Sequence, residues 1–311
     1  MLNRVEHEKF SESQIHQQGK VMASKYSLLT LLFPVLTICS QSYANDHLPL
    51  LQGPYLGQTP PGLTPEPFAP GIVTTAGFDD GGVFTADMSE FYFIRKRADS
   101  NKFDTIIYQQ QGNQWVETLS QEARPFYPFF SPDGKTMHLG KKYRERTDSG
   151  WSEVQSLDAA FTDINIMSLS VSLKGTYAID ERHPEEKGIL RFSRLVEGKR
   201  QAPVPFGKEI NAGTRNAHPF IAPDESYIMW DGIKDNGFGD VDLYISFRQP
   251  DGSWGEAINM GDKINTAAYE AGPKVTPDGK YLFFVRNMGS DKFENVDVFW
   301  VDAQIIETLR P

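Results

Sequence analysis

The stretch FSPDGKTMHLGKK, residues 130–142, decides how the chain is read. A β-favouring residue leads into Ser131-Pro132-Asp133-Gly134, and an alternating apolar strand follows. Proline pre-sets the first turn dihedral, aspartate bonds the backbone two residues on, and glycine accepts a positive φ. The result is a tight hairpin between two strands. Four other stretches share the pattern: FTADMSEFYFIRK (84–96), VSLKGTYAID (171–180), IAPDESYIMWDG (221–232) and VTPDGKYLFFVRN (275–287). With Asp87, Asp133, Lys174, Asp224 and Asp278 taken as equivalent, the copies recur every 40 to 55 residues or so, about the length of a four-stranded propeller blade.

The rest of each unit can be read from the same alignment. A third strand follows the hairpin in TIIYQQQ from Thr105, GILRFSRL from Gly188, VDLYISFRQ from Val241 and VDVFWVDA from Val296. Turns ending in tryptophan come next at Trp115, Trp151 and Trp254. Short outer strands then start near Val116, Ser152, Ala202 and Gly255, which makes four outer strands for five hairpins. The missing one lies at the front, because PEPFAPGIVTTAG from Pro65 resembles WGEAINMGDKINTA from Trp254 and stands equally far ahead of a first strand. The expected fold is therefore all-β: a β-propeller of four-stranded blades, closed by an N-terminal strand that pairs into the last blade. The blades number five, or six if residues 184–212 supply a further hairpin. Residues 65–311 form this single domain, residues 45–64 read as an extended lead-in, and the final DAQIIETLRP has helical spacing at Ile305, Ile306 and Leu309.

The chain has 311 residues, of which 39% are hydrophobic, enough for a folded core. Its net charge of −10 and lack of a basic stripe argue against nucleic acid or an anionic membrane as partner. Residues 1–44 read as a leader with Met22 as the true start: Lys25, an apolar run from Leu28 to Cys39, and Ser42-Tyr43-Ala44 before the cut. The run is too short for a spanning helix and is broken by Pro34, so no transmembrane segment is expected in the mature chain. Ile38 stands where a lipid-attachment site before Cys39 needs a small residue, which favours ordinary cleavage. The expectation is an exported monomer, periplasmic or extracellular, with no thiol chemistry left once the only cysteine is removed.

PFFSPDGKTM, AHPFIAPDESYIMW, GPKVTPDGKYLFFVR and the ending DVFWVDAQIIETLRP resemble the WD40-like (PD40) repeats of the TolB-type propeller family and of many exported bacterial proteins. The resemblance runs from about Gly53 to Pro311. It implies a scaffold whose members include envelope-protein binders, peptidases with a propeller domain and a sugar lyase, so it leaves the chemistry open. Leu173-Lys174-Gly175 and Ala86-Asp87-Met88 depart from the Pro-Asp-Gly pattern.

In such a ring the first strand of each blade lines the channel, so polar residues just ahead of it are the candidate site. These are Asp79 and Asp80, Arg124 and Tyr127, Asp163 and Asn165, Asn216 and His218, and Tyr269 and Glu270. The leading expectation is non-catalytic binding of a protein or glycan ligand of the cell envelope through Arg124, Tyr127, Asn165, His218, Tyr269 and Glu270. The alternative is a carbohydrate-active hydrolase or lyase working through Asp80, Asp163, His218 and Glu270. No Gly-x-Ser-x-Gly elbow is present, and His138 and His183 fall at other blade positions than His218, so neither a serine hydrolase nor a zinc site is expected. No cofactor is expected. A calcium ion on Asp231, Asp235 and Asp240 is the weaker alternative, since their loop lacks the order of a calcium-binding loop and reads first as a solvated connection between the second and third strands.

Overall fold

The computed structural model describes residues 51–120, 127–182 and 188–311. The leader, with Met22, Cys39 and Ala44, lies outside these, as do Arg124 and His183. Five antiparallel four-stranded sheets form the blades of a β-propeller. Blade 1 runs Asp79–Phe84, Glu90–Lys96, Phe103–Gln111 and Gln114–Leu119. Blade 2 runs Phe129–Phe130, Thr136–Leu139, Lys142–Thr147 and Gln155–Ser156, with Gly150–Trp151 folded back on its third strand. Blade 3 runs Ile166–Val171, Tyr177–Glu181, Ile189–Ser193 and Val204–Pro205, and blade 4 runs Arg215–Ile221, Tyr227–Ile233, Asp242–Phe247 and Ile258–Asn259. Blade 5 takes Glu270–Val275, Tyr281–Asn287 and Val296–Asp302 from the C-terminal part of the chain and its outer strand, Glu66–Pro67, from the front. Glu66 pairs with Trp300 and Pro67 with Phe299, and a proline is tolerated because this strand is an edge. Within residues 188–212 the only extra hairpin is the ribbon of Leu195–Val196 with Lys199–Arg200, which is no sixth blade.

The turns close as their residues dictate. Asp133 accepts hydrogen bonds from Ser131 Oγ at 2.6 Å and the Lys135 amide at 3.0 Å, and Gly134 takes φ +71°. Asp87 and Asp278 likewise accept from Thr85 and Thr276. The third turn has Lys174 in place of aspartate and cannot do this. Its Ser172 hydroxyl instead donates across the blade boundary to the buried Glu225, at 2.8 Å. Arg248 donates to the other Glu225 oxygen at 3.0 Å. A departure from the repeat in blade 3 is thus compensated by blade 4.

The seam between blades 5 and 1 carries the largest aromatic cluster. Phe68, fully buried just after the closing strand, packs within 4.8 to 6.3 Å of Phe84 and Phe91 in blade 1 and Phe283 and Trp300 in blade 5. The lead-in does more than extend: Tyr55 and Leu56 are buried in the same cluster, and the Tyr55 hydroxyl donates to Asp278 in the blade 5 turn. Trp115 holds this segment from blade 1, its indole N–H donating to the Gly53 carbonyl at 2.7 Å and its amide to that of Leu51. The short helix Gln304–Glu307 buries Ile305 and Ile306 in the core between blades 4 and 5. Truncating Phe68 should therefore open a cavity beside the one joint that lacks chain continuity, between Glu66–Pro67 and Val296–Asp302 in blade 5. Phe68→Ala is expected to lower unfolding free energy by roughly 3–5 kcal/mol in urea denaturation, well above the effect of the same change at an exposed aromatic.

Candidate functional site

The inner strands of blades 1, 3, 4 and 5 each carry a β-bulge, seen as register shifts at Gly81/Val83, Ile166/Leu169, Ala217/Phe220 and Ala271/Lys274. An extra residue reverses which face the following side chains occupy. Counted from the turn, the residue six places ahead is Gly81, Tyr127, Ser168, His218 or Gly272 in the five blades. These five, one from each blade, border a cavity of about 460 Å³ at one channel mouth. The residues four places ahead are Val83, Phe129, Ser170, Phe220 and Lys274. Phe129, Phe220 and Lys274 border both this cavity and a smaller one, of about 160 Å³, on the side of the Pro-Asp-Gly turns.

Of the sequence-derived candidates, Asp80, Tyr127, Asn216, His218 and Tyr269 reach the cavity. Asp163 and Asn165 are exposed and do not line it. Glu270 is fully buried and does not line it either. Its carboxylate receives Arg286 Nε at 2.7 Å, Thr266 Oγ1 at 2.7 Å and the Thr266 amide at 3.0 Å. Asp79 repeats this arrangement, with Arg95 Nε at 2.6 Å, Thr75 Oγ1 at 2.5 Å and the Thr75 amide at 2.9 Å. Both carboxylates lie ahead of the bulge, on the face turned from the channel, and clamp the loop entering the strand to the second strand. They are corrected here from site residues to latches. Asn216, also ahead of the bulge, accepts the Trp230 indole N–H at 3.0 Å.

The centre of the site is a network that the candidate list contained only in part. His218 takes φ +48°, where blades 1 and 5 place glycines at φ +94° and +65°. A histidine holding this conformation is strained, and the surroundings over-determine it. Its Nδ1 lies 2.6 Å from Oδ2 of the fully buried Asp231, and its amide donates to Asp180 at 3.1 Å. Asp180 also accepts the Met167 and Ser168 amides and the Ser168 hydroxyl, and Asp231 accepts the Gly272 amide of blade 5 at 3.1 Å. Burial alone would depress the imidazole, but the Asp231 charge and hydrogen bond, with Asp180 and Asp80 beyond, outweigh it and hold His218 above its ordinary value. Asp231 is held low, because His218, Arg215 and the Gly272 amide outweigh its burial. Arg215 also donates to the Tyr269 hydroxyl at 2.7 Å, and Tyr127 donates to Asp80 at 2.7 Å.

The calcium alternative is corrected by the same network. Asp231 is turned to His218, whereas Asp235 and Asp240 are exposed on the loop beyond. That loop is ordered from inside by Asp242, which accepts the Phe238 and Gly239 amides. Among the described residues no group of three or more His, Cys, Asp or Glu side chains is placed to hold a metal ion. Sequence reasoning missed Asp180 and Lys274 and misread Asp231. The available signals were an aspartate ending the otherwise apolar second strand in YAID and YIMWD, and a lysine where the other repeats have Val, Phe, Ser and Phe.

No protein-family model matches the chain, and no curated protein matches it. Among solved structures it is similar to TolB from Acinetobacter baumannii, at 11% identity and a TM-score of 0.43, over 71% of this chain and 54% of that one. The chain thus spans about half the length of that protein. It is also similar to a putative TolB from Agrobacterium tumefaciens, at 14% identity and a TM-score of 0.44, over 73% of this chain and 78% of that one. An endo-arabinase from Bacteroides thetaiotaomicron matches at 12% identity and a TM-score of 0.47, over 78% and 96% of the two chains.

Two expectations separate latch from site. Glu270→Gln leaves the half-buried Arg286 without its fully buried counter-charge and should cost roughly 3–5 kcal/mol of stability in urea denaturation. The His218–Asp231 pair predicts a pH signature. A histidine raised on folding stabilises in full below its unfolded value of about 6.5, and that contribution fades as pH rises through the folded value. The lowered Asp231 contributes above about 3.9 and loses its contribution as pH falls through its folded value. Stability measured from pH 6 to 9 should therefore fall more in the wild type than in His218→Gln.

Proposed function

We propose that the chain is an exported, non-catalytic propeller that binds a protein segment or a glycan of the cell envelope in the channel-mouth cavity. One observation carries this reading: each carboxylate at the cavity is already engaged inside the protein. Asp80 holds Tyr127, Asp180 holds three backbone amides and a hydroxyl, and Glu181 holds Arg191, while Asp231, behind the lining, holds His218 and Gly272. Glycoside cleavage needs two carboxyl groups free to face the scissile bond, one as acid and the other as base or nucleophile. Aromatic walls at Tyr127, Tyr269 and Phe293 fit recognition instead, since such side chains bury large area at small entropic cost. The leader-type start supports export, and the acidic net charge supports a partner other than nucleic acid.

The test uses purified protein against a peptide array and a polysaccharide panel. The double variant Tyr127→Ala/Tyr269→Ala should bind its best probe roughly tenfold more weakly or worse, with the fold unchanged by circular dichroism and no product released from any polysaccharide. Release of sugar products that Asp80→Asn abolishes would replace this reading with a carbohydrate-active enzyme.

A further inference from the structure

We infer that the occupant of the cavity is the carboxyl-terminal end of a protein chain, seated with its terminal carboxylate on Lys274. This rests on the binding reading above and specifies its ligand. Three observations lead to it. The first is that the cavity has a floor. The rings of Phe129 and Phe220, from blades 2 and 4, meet across the axis with centroids 6.4 Å apart, and both border the cavities on either side. A polymer cannot thread such a channel and must enter by an end.

The second is the charge at that floor. Lys274 stands in a ring otherwise composed of Val83, Phe129, Ser170 and Phe220. Among the described residues it has no hydrogen-bond or ion-pair partner, although Asp80 and Asp231 both lie close enough to act on it through space. Burial, opposed by those two carboxylates, leaves the ammonium easier to deprotonate than an ordinary lysine. A half-buried cation without a partner is costly, and an arriving anion offsets that cost.

The third is the asymmetry between the charges. Asp80, Asp180 and Asp231 each already have a donor and Glu181 has Arg191, so a basic or amino-terminal end meets only carboxylates that are already engaged in part, whereas a carboxylate meets in Lys274 a donor with no partner. The surroundings of that donor decide between anions. Phe129, Phe220 and Val83 offer apolar contact for a final side chain and no partners for the hydroxyls of an acidic sugar. The reading that follows is a chain end with an apolar last residue, its carboxylate charge-paired below and its side chain among the phenylalanines.

Titration calorimetry on the full chain tests this with N-acetyl-Ala-Ala-Leu and N-acetyl-Ala-Ala-Phe as free acids, the same peptides as carboxamides, and trigalacturonate. The acids should bind roughly ten- to a hundredfold more tightly than the amides, the span of a hydrogen bond to a charged group. Lys274→Met should erase that preference and Lys274→Arg should keep most of it. Thermal unfolding controls for folding: Lys274→Met is expected to melt at or above the wild-type temperature, because it removes an unpaired, half-buried charge. Equal binding of acids and amides, both weakened by Tyr127→Ala/Tyr269→Ala, would overturn the carboxylate assignment and leave the cavity as the binding site. Binding of trigalacturonate with neither peptide would overturn the peptide assignment. If no probe binds and the tyrosine variants also leave array and panel binding unchanged, the cavity reading itself fails.

Discussion

A ring of five sheets has five seams, and the chain crosses each by passing from the outer strand of one blade to the inner strand of the next. The break in chain continuity lies inside blade 5, where the third strand, Val296–Asp302, is joined only by non-covalent contact to the outer strand from the front of the domain. Two paired residues, Glu66 and Pro67, cannot hold such a joint by backbone bonds alone. Burial of Phe68 among four aromatic rings supplies the larger share, and Tyr55, reaching from the lead-in to Asp278, ties the same segment to the blade 5 turn. The channel geometry follows from this closure, since the ring of inner strands is only as well defined as its weakest joint.

The fold was legible because it is repeated. A Pro-Asp-Gly turn has the same physical meaning wherever it occurs, and the count of outer strands against hairpins exposed the missing strand near Pro65. The departures were legible only in part. Lys174 was visible as an exception, but its compensation by Glu225 joins residues whose relation depends on how neighbouring blades pack. The lead-in looked featureless by composition, yet Tyr55 and Leu56 are core residues, because a pocket between blades gives two side chains a place that no periodicity announces.

The site was harder to read for a single physical reason. Polar residues ahead of the inner strands form one ring only where those strands are regular. The bulge breaks that regularity, so Glu270 and Asp79 turn into latches while His218, two residues further along the repeat than Glu270, turns into the cavity. Sequence gives the polarity of such positions but not the extra residue that reverses their face. Gly81, Gly82 and Gly272 hint at it, since all three take positive φ, and at Gly82 a β-carbon would come within 3.0 Å of Val298. His218, in the same conformation without that freedom, marks where the repeat gave up backbone ease for a fixed imidazole.

A propeller with five near-equivalent inner strands would build a symmetric mouth, and a symmetric mouth has little basis for choosing a ligand. Here the symmetry is broken by charge. Blades 3 and 4 contribute carboxylates that are satisfied within the protein, blade 2 contributes a phenylalanine, and blade 5 contributes a lysine at the level where its neighbours are apolar. Satisfied charges fix the shape of the wall without competing for the ligand, whereas the unsatisfied one sets what the floor will accept. An unpaired, half-buried cation lowers stability, and a scaffold built for stability alone would hold another apolar side chain there. Its retention among Val83, Phe129 and Phe220 is most simply understood as a cost that binding recovers, which places recognition at the depth of the channel, below the aromatic rim.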